Sequence, residues 1–318
     1  MQTKQAVIFD HDGGVDDLLS LMLLLTMEHI DLLGVTVTPA DCYLSDATTS
    51  TLKLLSMFGR EDVPVAKGTL HGINAFPADW RAQPKMCNAL PMMLTAKANT
   101  SQISELPAHE FIATALKDAD NVTLLMTGPC TNLTAAMDLD PNIKSSIKEL
   151  VWMGGAVHVP GNVSMHNHNT SAEWNAFWDP IATKALFESG INVKLISLDS
   201  TNALPVDIAF LERLAAMREH AMADLAGQFW ALTVNSIPAY EFTYYMWDVL
   251  ATSYLGLPDG TIQFEKTELD VSVDEPNAGE TFVSEGTNNL IDVSVSVNKD
   301  VVLDYVASQF ARDFNKRI

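Results

Sequence analysis

The chain has 318 residues, 47% hydrophobic and 19% charged, which suffices for a large core and excludes a disordered chain. Nineteen Lys and Arg stand against 40 Asp and Glu, and the net charge of −21, unrelieved by any basic run, repels nucleic acid and anionic membrane. The expected partner is a neutral small molecule or a cation, taken up by a single domain spanning 1–318.

In chain order, the N-terminus passes from one lysine into a short apolar stretch and then into acids, without the apolar core or cleavage site of a secretory signal. Residues 6–9 read as a first strand. The apolar window 18–27 contains Ser20 and Thr26 and is about half of a ~20-residue membrane span, so it reads as part of a buried helix at about 16–29. A second strand is predicted at 32–38 and a helix at 43–58 capped by Ser45 or Asp46; a long polar loop follows at 68–88. Next come a helix at 108–118, strands at 122–126 and 149–153, and a second long loop at 154–172. Asp179-Pro180, a cap with proline in the first turn, opens a helix at 180–189. A strand at 193–198 and helices at 206–234, 246–255 and 299–315 complete the alternation, and period-2 segments within 261–298 predict antiparallel strands. The pattern is α/β: an open, mostly parallel β-sheet flanked by helices, with a small antiparallel β element near the C-terminus.

Cys42, Cys87 and Cys130 form no CxxC pair, so neither a disulfide framework nor a thiolate metal site is expected, and a reducing, cytoplasmic setting fits. No GxxxxGK or GxGxxG is present to cradle phosphates or a dinucleotide.

In an open parallel sheet, ligands bind beyond the carboxyl ends of the strands. There the first strand is followed by Asp10-His11-Asp12-Gly13-Gly14-Val15-Asp16-Asp17. A helix N-terminus accounts for Asp16 and Asp17 through the macrodipole, but not for Asp10 and Asp12 at the strand end. Carboxylates crowded this closely call for a hard cation such as Ca²⁺ or Mg²⁺. Glu173, inside the apolar stretch AEWNAFW, is expected to be partly buried and to need donors.

DHDGGVDD resembles the DxDxGxDD fingerprint of the nucleoside hydrolases, which cleave the N-glycosidic bond of ribonucleosides with a tightly bound calcium ion. Further segments follow in collinear order. LLMTGPCTNL is similar to the family's TGPLTNL segment and Met153-Gly154-Gly155 to its MGG turn. Gly161-Asn162 and Glu173-Trp174-Asn175 are similar to its ribose-binding elements, and Trp247-Asp248 to its late metal aspartate. The spacing from Asn162 to Glu173 resembles the purine-specific, inosine-adenosine-guanosine-preferring branch.

This resemblance implies a sheet of the nucleoside hydrolase type, a homodimer, and hydrolysis of purine nucleosides. It implies that Asp12, Asp17, Asp248 and the Thr127 carbonyl hold Ca²⁺, with Asp12 also taking a proton from the attacking water. It places Asp16, Asn162, Glu173 and Asn175 on the ribose, with Met153 against the sugar. Ala40-Asp41 stands where the family has Gly-Asn, and Asp41 can still accept from a ribose hydroxyl. Trp247 replaces the histidine that the inosine-uridine type carries before its late aspartate, and Trp80 resembles the purine branch's partner indole, so that the two are expected to sandwich a purine. His166 and His168 are expected as loop residues near the 5′ side of the sugar, and His11 as a packing residue.

Plainer readings exist for these residues: Asn and Asp are common in turns, Trp247 can be core, and Trp80 can anchor a loop. Two other functions compete. IFDHDGG also satisfies the DxDG motif of haloacid-dehalogenase-type phosphatases, which leaves Asp16-Asp17, TGPCTNL and Trp247-Asp248 unexplained. A non-catalytic calcium-dependent nucleoside-binding protein would not need a full set of carboxylates.

Overall fold

The strand VTLLM, Val122–Met126, is buried at all five positions, as a parallel strand covered by helices on both faces must be. In the computed structural model, which describes residues 4–165, 167–234 and 243–312, it lies inside a nine-stranded sheet. The strands are β1 (Gln5–His11), β2 (Ile30–Val37), β3 (Val65–Lys67), β4 (Val122–Met126), β5 (Ile147–Met153), β6 (Val193–Ile196), β7 (Ile262–Val271), β8 (Thr281–Val283) and β9 (Leu290–Val297). Their order is β3-β2-β1-β4-β5-β6-β9-β7-β8. Pairing is parallel from β3 to β9. It turns antiparallel at β7, which pairs with both β9 and β8, so the predicted antiparallel element forms one edge of the sheet.

Alternate strand residues divide between two cores. Phe9, Leu125 and Val151 point to one face, and Ile8, Leu124, Leu150 and Trp152 to the other. The first core contains the helix Val15–Leu25, buried from Val15 to Leu24, which packs against the helix Trp247–Tyr254. That packing fixes the site, because Asp16-Asp17 and Trp247-Asp248 occupy the first turns of these two helices. Among the described residues no helix is long and apolar enough to cross a membrane.

The structure differs from the sequence reading at several places. The predicted helix at 206–234 is two, Ile208–Ala215 and Ala221–Val234, divided where the polar run Arg218-Glu219-His220 interrupts the apolar stripe. The predicted loop at 68–88 contains the short helices Ala78–Arg81 and Gln83–Asn88, the second with proline in its first turn. Helices Pro91–Thr95, Thr131–Leu139, Trp174–Trp178 and Leu198–Thr201 and strand β3 were not foreseen. Leu198 opens one of these helices, and strand β6 accordingly ends at Ile196. Neither Ser45 nor Asp46 caps the helix Leu44–Met57, whose N-cap is Tyr43 with no side-chain hydrogen bond. Asp179 does cap, accepting from the Ala182 N–H at 3.0 Å. The loop after β5 contains neither helix nor strand as far as Trp174 among the described residues.

Asp10 ties the strand ends together. Its carboxylate accepts from the Thr36 hydroxyl, the Thr38 hydroxyl and the Asn132 amide, and burial raises its pKa to about 6 against these donors. Asp10→Ala leaves the Thr36 hydroxyl and one Asn132 N–H without an acceptor. An orphaned buried group costs about 1–3 kcal/mol, so a loss of about 2 kcal/mol or more is expected in urea unfolding. An unchanged midpoint would remove Asp10 as the tie.

Candidate active site

The chain leaves β1 through Gly13, whose φ of +87° favours glycine and whose missing Cβ would stand 2.7 Å from both Ala47 Cβ and Cys42 Cβ. This tight exit places Asp12 on the strand side and Asp16 and Asp17 on the helix side of one turn. Asp17 holds the turn closed. Its Oδ2 accepts from the Gly14 N–H at 2.7 Å, and its Oδ1 accepts from the Thr127 hydroxyl at 2.5 Å and the Asp12 N–H at 3.4 Å. Asp12 Oδ2 in turn accepts from the Asp41 N–H at 3.2 Å.

Asp16, Asp17 and Asp248 bring carboxylate oxygens within 4.8 Å of one another, and all three are buried. Burial and then the neighbouring Asp16 charge push Asp17 up to about 7. Burial followed by the charges of Asp17 and Asp41 raises Asp12 well above the usual carboxylate range, and burial with Asp16, Asp17 and Asp12 does the same to Asp248. Arg81 eases Asp41, which burial and the aspartates otherwise raise. Buried carboxylates packed this closely ionise together only if a cation compensates them, and an all-oxygen donor set suits a hard divalent ion. The tightest trio differs from the expected ligand set in containing Asp16, while Asp12 sits beside Asp17 and Asp41. The Thr127 carbonyl accepts from Asn175 Nδ2 at 2.8 Å.

The twelve residues expected as catalytic, metal, ribose or base contacts all line a single cavity of about 520 Å³. Its lining includes Asp12, Asp16, Asp17, Asp41, Thr127 and Asp248, together with Met153, Asn162, Glu173 and Asn175 and the indoles of Trp80 and Trp247. Glu173 is buried and has the donors it needs: the N–H groups of Gly155 (2.9 Å), Asn175 (2.9 Å) and Ala176 (3.2 Å). Burial nevertheless lifts its pKa to about 7. Asn162 Oδ1 and Asp41 Oδ1 are buried acceptors with no hydrogen-bond partner among the described residues, as expected of groups that await a hydroxyl-bearing ligand. Each indole is braced by another ring: Trp80 lies edge-on to Trp174 at 5.1 Å, and Trp247 edge-on to Tyr244 at 4.7 Å.

The sequence reading missed several lining residues, among them Phe76, Gln83, Met165, Trp174 and Tyr244. Trp174 lies between two residues that were singled out, and Tyr244 belongs to an aromatic run directly before Trp247-Asp248. His168 is placed differently from expectation. It is buried, with Nε2 bonded to the Ala278 carbonyl at 2.9 Å and Nδ1 accepting from the Thr170 N–H at 3.1 Å, and it pins the loop without lining the cavity. His166 lies outside the described residues. His11 packs as expected, stacked on Phe9 with Nε2 3.0 Å from the Thr51 hydroxyl. A second cavity, about 360 Å³ beside Glu149 and Tyr254 at the opposite ends of the strands, contains none of these residues.

The phosphatase reading requires Asp10 as an exposed nucleophile. Asp10 is 1% exposed, and its two oxygens are taken by Thr36, Thr38 and Asn132. Residues 7–305 match the family described as inosine-uridine preferring nucleoside hydrolase. The chain belongs to that family. The nucleoside hydrolase fold is shared with the inosine-uridine preferring nucleoside hydrolase from Bacillus anthracis at a TM-score of 0.89 and 36% identity, covering 96% of this chain and 99% of that one. Uridine nucleosidase 1 of Arabidopsis thaliana is 26% identical over 97% of this chain and 94% of its own length. The pyrimidine-specific ribonucleoside hydrolase of Escherichia coli is 28% identical over 66% of each. Two further plant relatives are matched over 66% and 64% of their own length. These names include enzymes of uridine and of pyrimidines, so family membership leaves open the narrower purine-specific branch expected from the Asn162–Glu173 spacing.

Proposed function

We propose that this nucleoside hydrolase cleaves the N-glycosidic bond of purine ribonucleosides to free base and ribose. The observation that carries the reading is that one cavity of about 520 Å³ is lined both by the buried aspartates and by the indoles of Trp80 and Trp247. Asp12, Asp17, Asp248 and the Thr127 carbonyl would hold Ca²⁺, with Asp16 adjoining them. When bound there, the ion would supply the missing positive charge and lower the pKa of water.

Asp12 takes the proton of the water that attacks the anomeric carbon. A carboxylate suits this role, and the Asp41 N–H, 3.2 Å from its Oδ2, helps to hold Asp12 in place. Asp41 Oδ1 and Asn162 Oδ1 accept from sugar hydroxyls, and Glu173 and Asn175, fixed by their backbone partners, complete the ribose contacts. As the bond breaks, the sugar gains oxocarbenium character, and the surrounding carboxylates favour that charge over the neutral ground state. Among the described residues no histidine lines the cavity to protonate the base. A purine, whose imidazole ring solvent can protonate and whose two rings offer more stacking area, suits such a pocket better than a pyrimidine. The homodimer and the cytoplasmic setting belong to the same reading.

The test is a panel of inosine, adenosine, guanosine, uridine and cytidine assayed for reducing sugar. Purine nucleosides are expected to be preferred. Trp247→Ala is expected to lower kcat/KM for them by roughly 5- to 150-fold, the range for loss of one base–aromatic stack, with a smaller effect on uridine. Equal efficiency on uridine and inosine would overturn the purine assignment and leave the hydrolase standing; no sugar released from any nucleoside would overturn both.

A further inference from the structure

We propose that Tyr244 is the positioning residue for Asp16, holding that carboxylate in the rotamer from which it meets a ribose hydroxyl. The inference rests on the reading that Asp16 contacts the ribose.

Three observations carry it. The Tyr244 hydroxyl donates to Asp16 Oδ1 at 2.7 Å, a buried bond between residues 228 apart in the chain. The other oxygen, Asp16 Oδ2, takes the long 3.5 Å approach of the Asp248 N–H, with the Asp248 carboxyl as a further neighbour, and the Asp16 side chain lines the cavity. Tyr244 is itself held from both sides. Its carbonyl accepts from the Val206 N–H at 2.8 Å, and the Met246 N–H two residues on donates to the Leu204 carbonyl at 3.0 Å. Its ring lies edge-on to Trp247 at 4.7 Å. A hydroxyl fixed this firmly turns an aspartate with free rotamers into a preorganised acceptor, which catalysis by orientation needs.

The bond is absent from the sequence-derived site and gives Tyr244 a role that touches no reacting atom. Because Asp16 also belongs to the tight carboxylate trio, the test must separate ribose recognition from a general loss of the site. Efficiency is therefore compared between substrates within each variant, which cancels any difference in the folded or metal-loaded fraction. Wild type, Tyr244→Phe, Asp16→Asn and the double variant are assayed on inosine, 2′-deoxyinosine and 3′-deoxyinosine. Asp16→Asn should cost most on inosine and least on the one deoxynucleoside lacking the hydroxyl that Asp16 accepts from. Tyr244→Phe should lower kcat/KM for inosine roughly tenfold to a hundredfold, the range for a hydrogen bond to a charged acceptor. On that same deoxynucleoside it should cost less than about threefold, and it should add less than about threefold to Asp16→Asn.

If Tyr244→Phe costs equally on all three substrates, or adds its full factor to Asp16→Asn, while Asp16→Asn keeps its substrate dependence, Asp16 retains its ribose role and Tyr244 is not its positioner. If Asp16→Asn itself costs the same on all three, the ribose assignment of Asp16 fails and the inference fails with it.

Discussion

Asp12→Asn is expected to lower kcat by roughly 10²- to 10⁴-fold, the usual cost of losing a general base. The side chain is 3% exposed and wedged between the Asp41 N–H and the Asp17 carboxylate, so an isosteric amide fits the space and removes the base together with one anionic ligand of the proposed calcium site. The fold should survive, because the Asp12 N–H still donates to Asp17 and one repelling charge has gone. Melting of the metal-free variant should be no lower than that of metal-free wild type. Retention of more than a tenth of wild-type kcat in calcium-saturated protein would remove Asp12 from the base role.

Stripping divalent metal should cost several kcal/mol of transition-state stabilisation, roughly a 10³-fold or greater loss of activity, restored by calcium. It should also change how stability responds to pH. Asp10, Asp17 and Glu173 have folded pKa values raised to about 6, 7 and 7, above the 3.8 and 4.5 of free carboxyls. Between about pH 4 and pH 7 the folded state therefore binds more protons than the unfolded one, and stability falls as pH rises through that window. Chelated protein should melt lower at pH 8 than at pH 5. Calcium prefers the ionised carboxylates and should remove the share of this slope that comes from the aspartate cluster, leaving that of Asp10 and Glu173, and it should add about 2.7 kcal/mol at a hundred times its Kd. A chelated protein whose melting temperature rises from pH 5 to 8, or full activity after chelation, would leave the cluster without an ion to hold.

The parts of this molecule most legible in the sequence are those governed by local pattern. The buried run of β4, the Asp179-Pro180 cap and the acids after β1 each follow from residues a few positions apart. The short helices Ala78–Arg81 and Gln83–Asn88 do not, since segments of this length are unstable alone and form only where packing supports them. The same holds for long-range bonds. Nothing near Asp16 in sequence reveals that Tyr244 will meet it, and nothing in MHNHN separates a histidine bonded to the Ala278 carbonyl from one facing a sugar. Glu173 was readable for a physical reason: an acid inside an apolar stretch must either be paired or not be there.

The lining of the cavity is built from different materials. Asp16 and Asp17 stand in the first turn of a helix buried almost throughout. Trp80 stands on a four-residue peripheral helix with no buried residue, joined to the acid side by such contacts as the Tyr43 N–H to the Arg81 carbonyl at 2.9 Å. On the proposed reading of Trp80 as a base contact, this wall of the pocket can be redesigned apart from the aspartate turn.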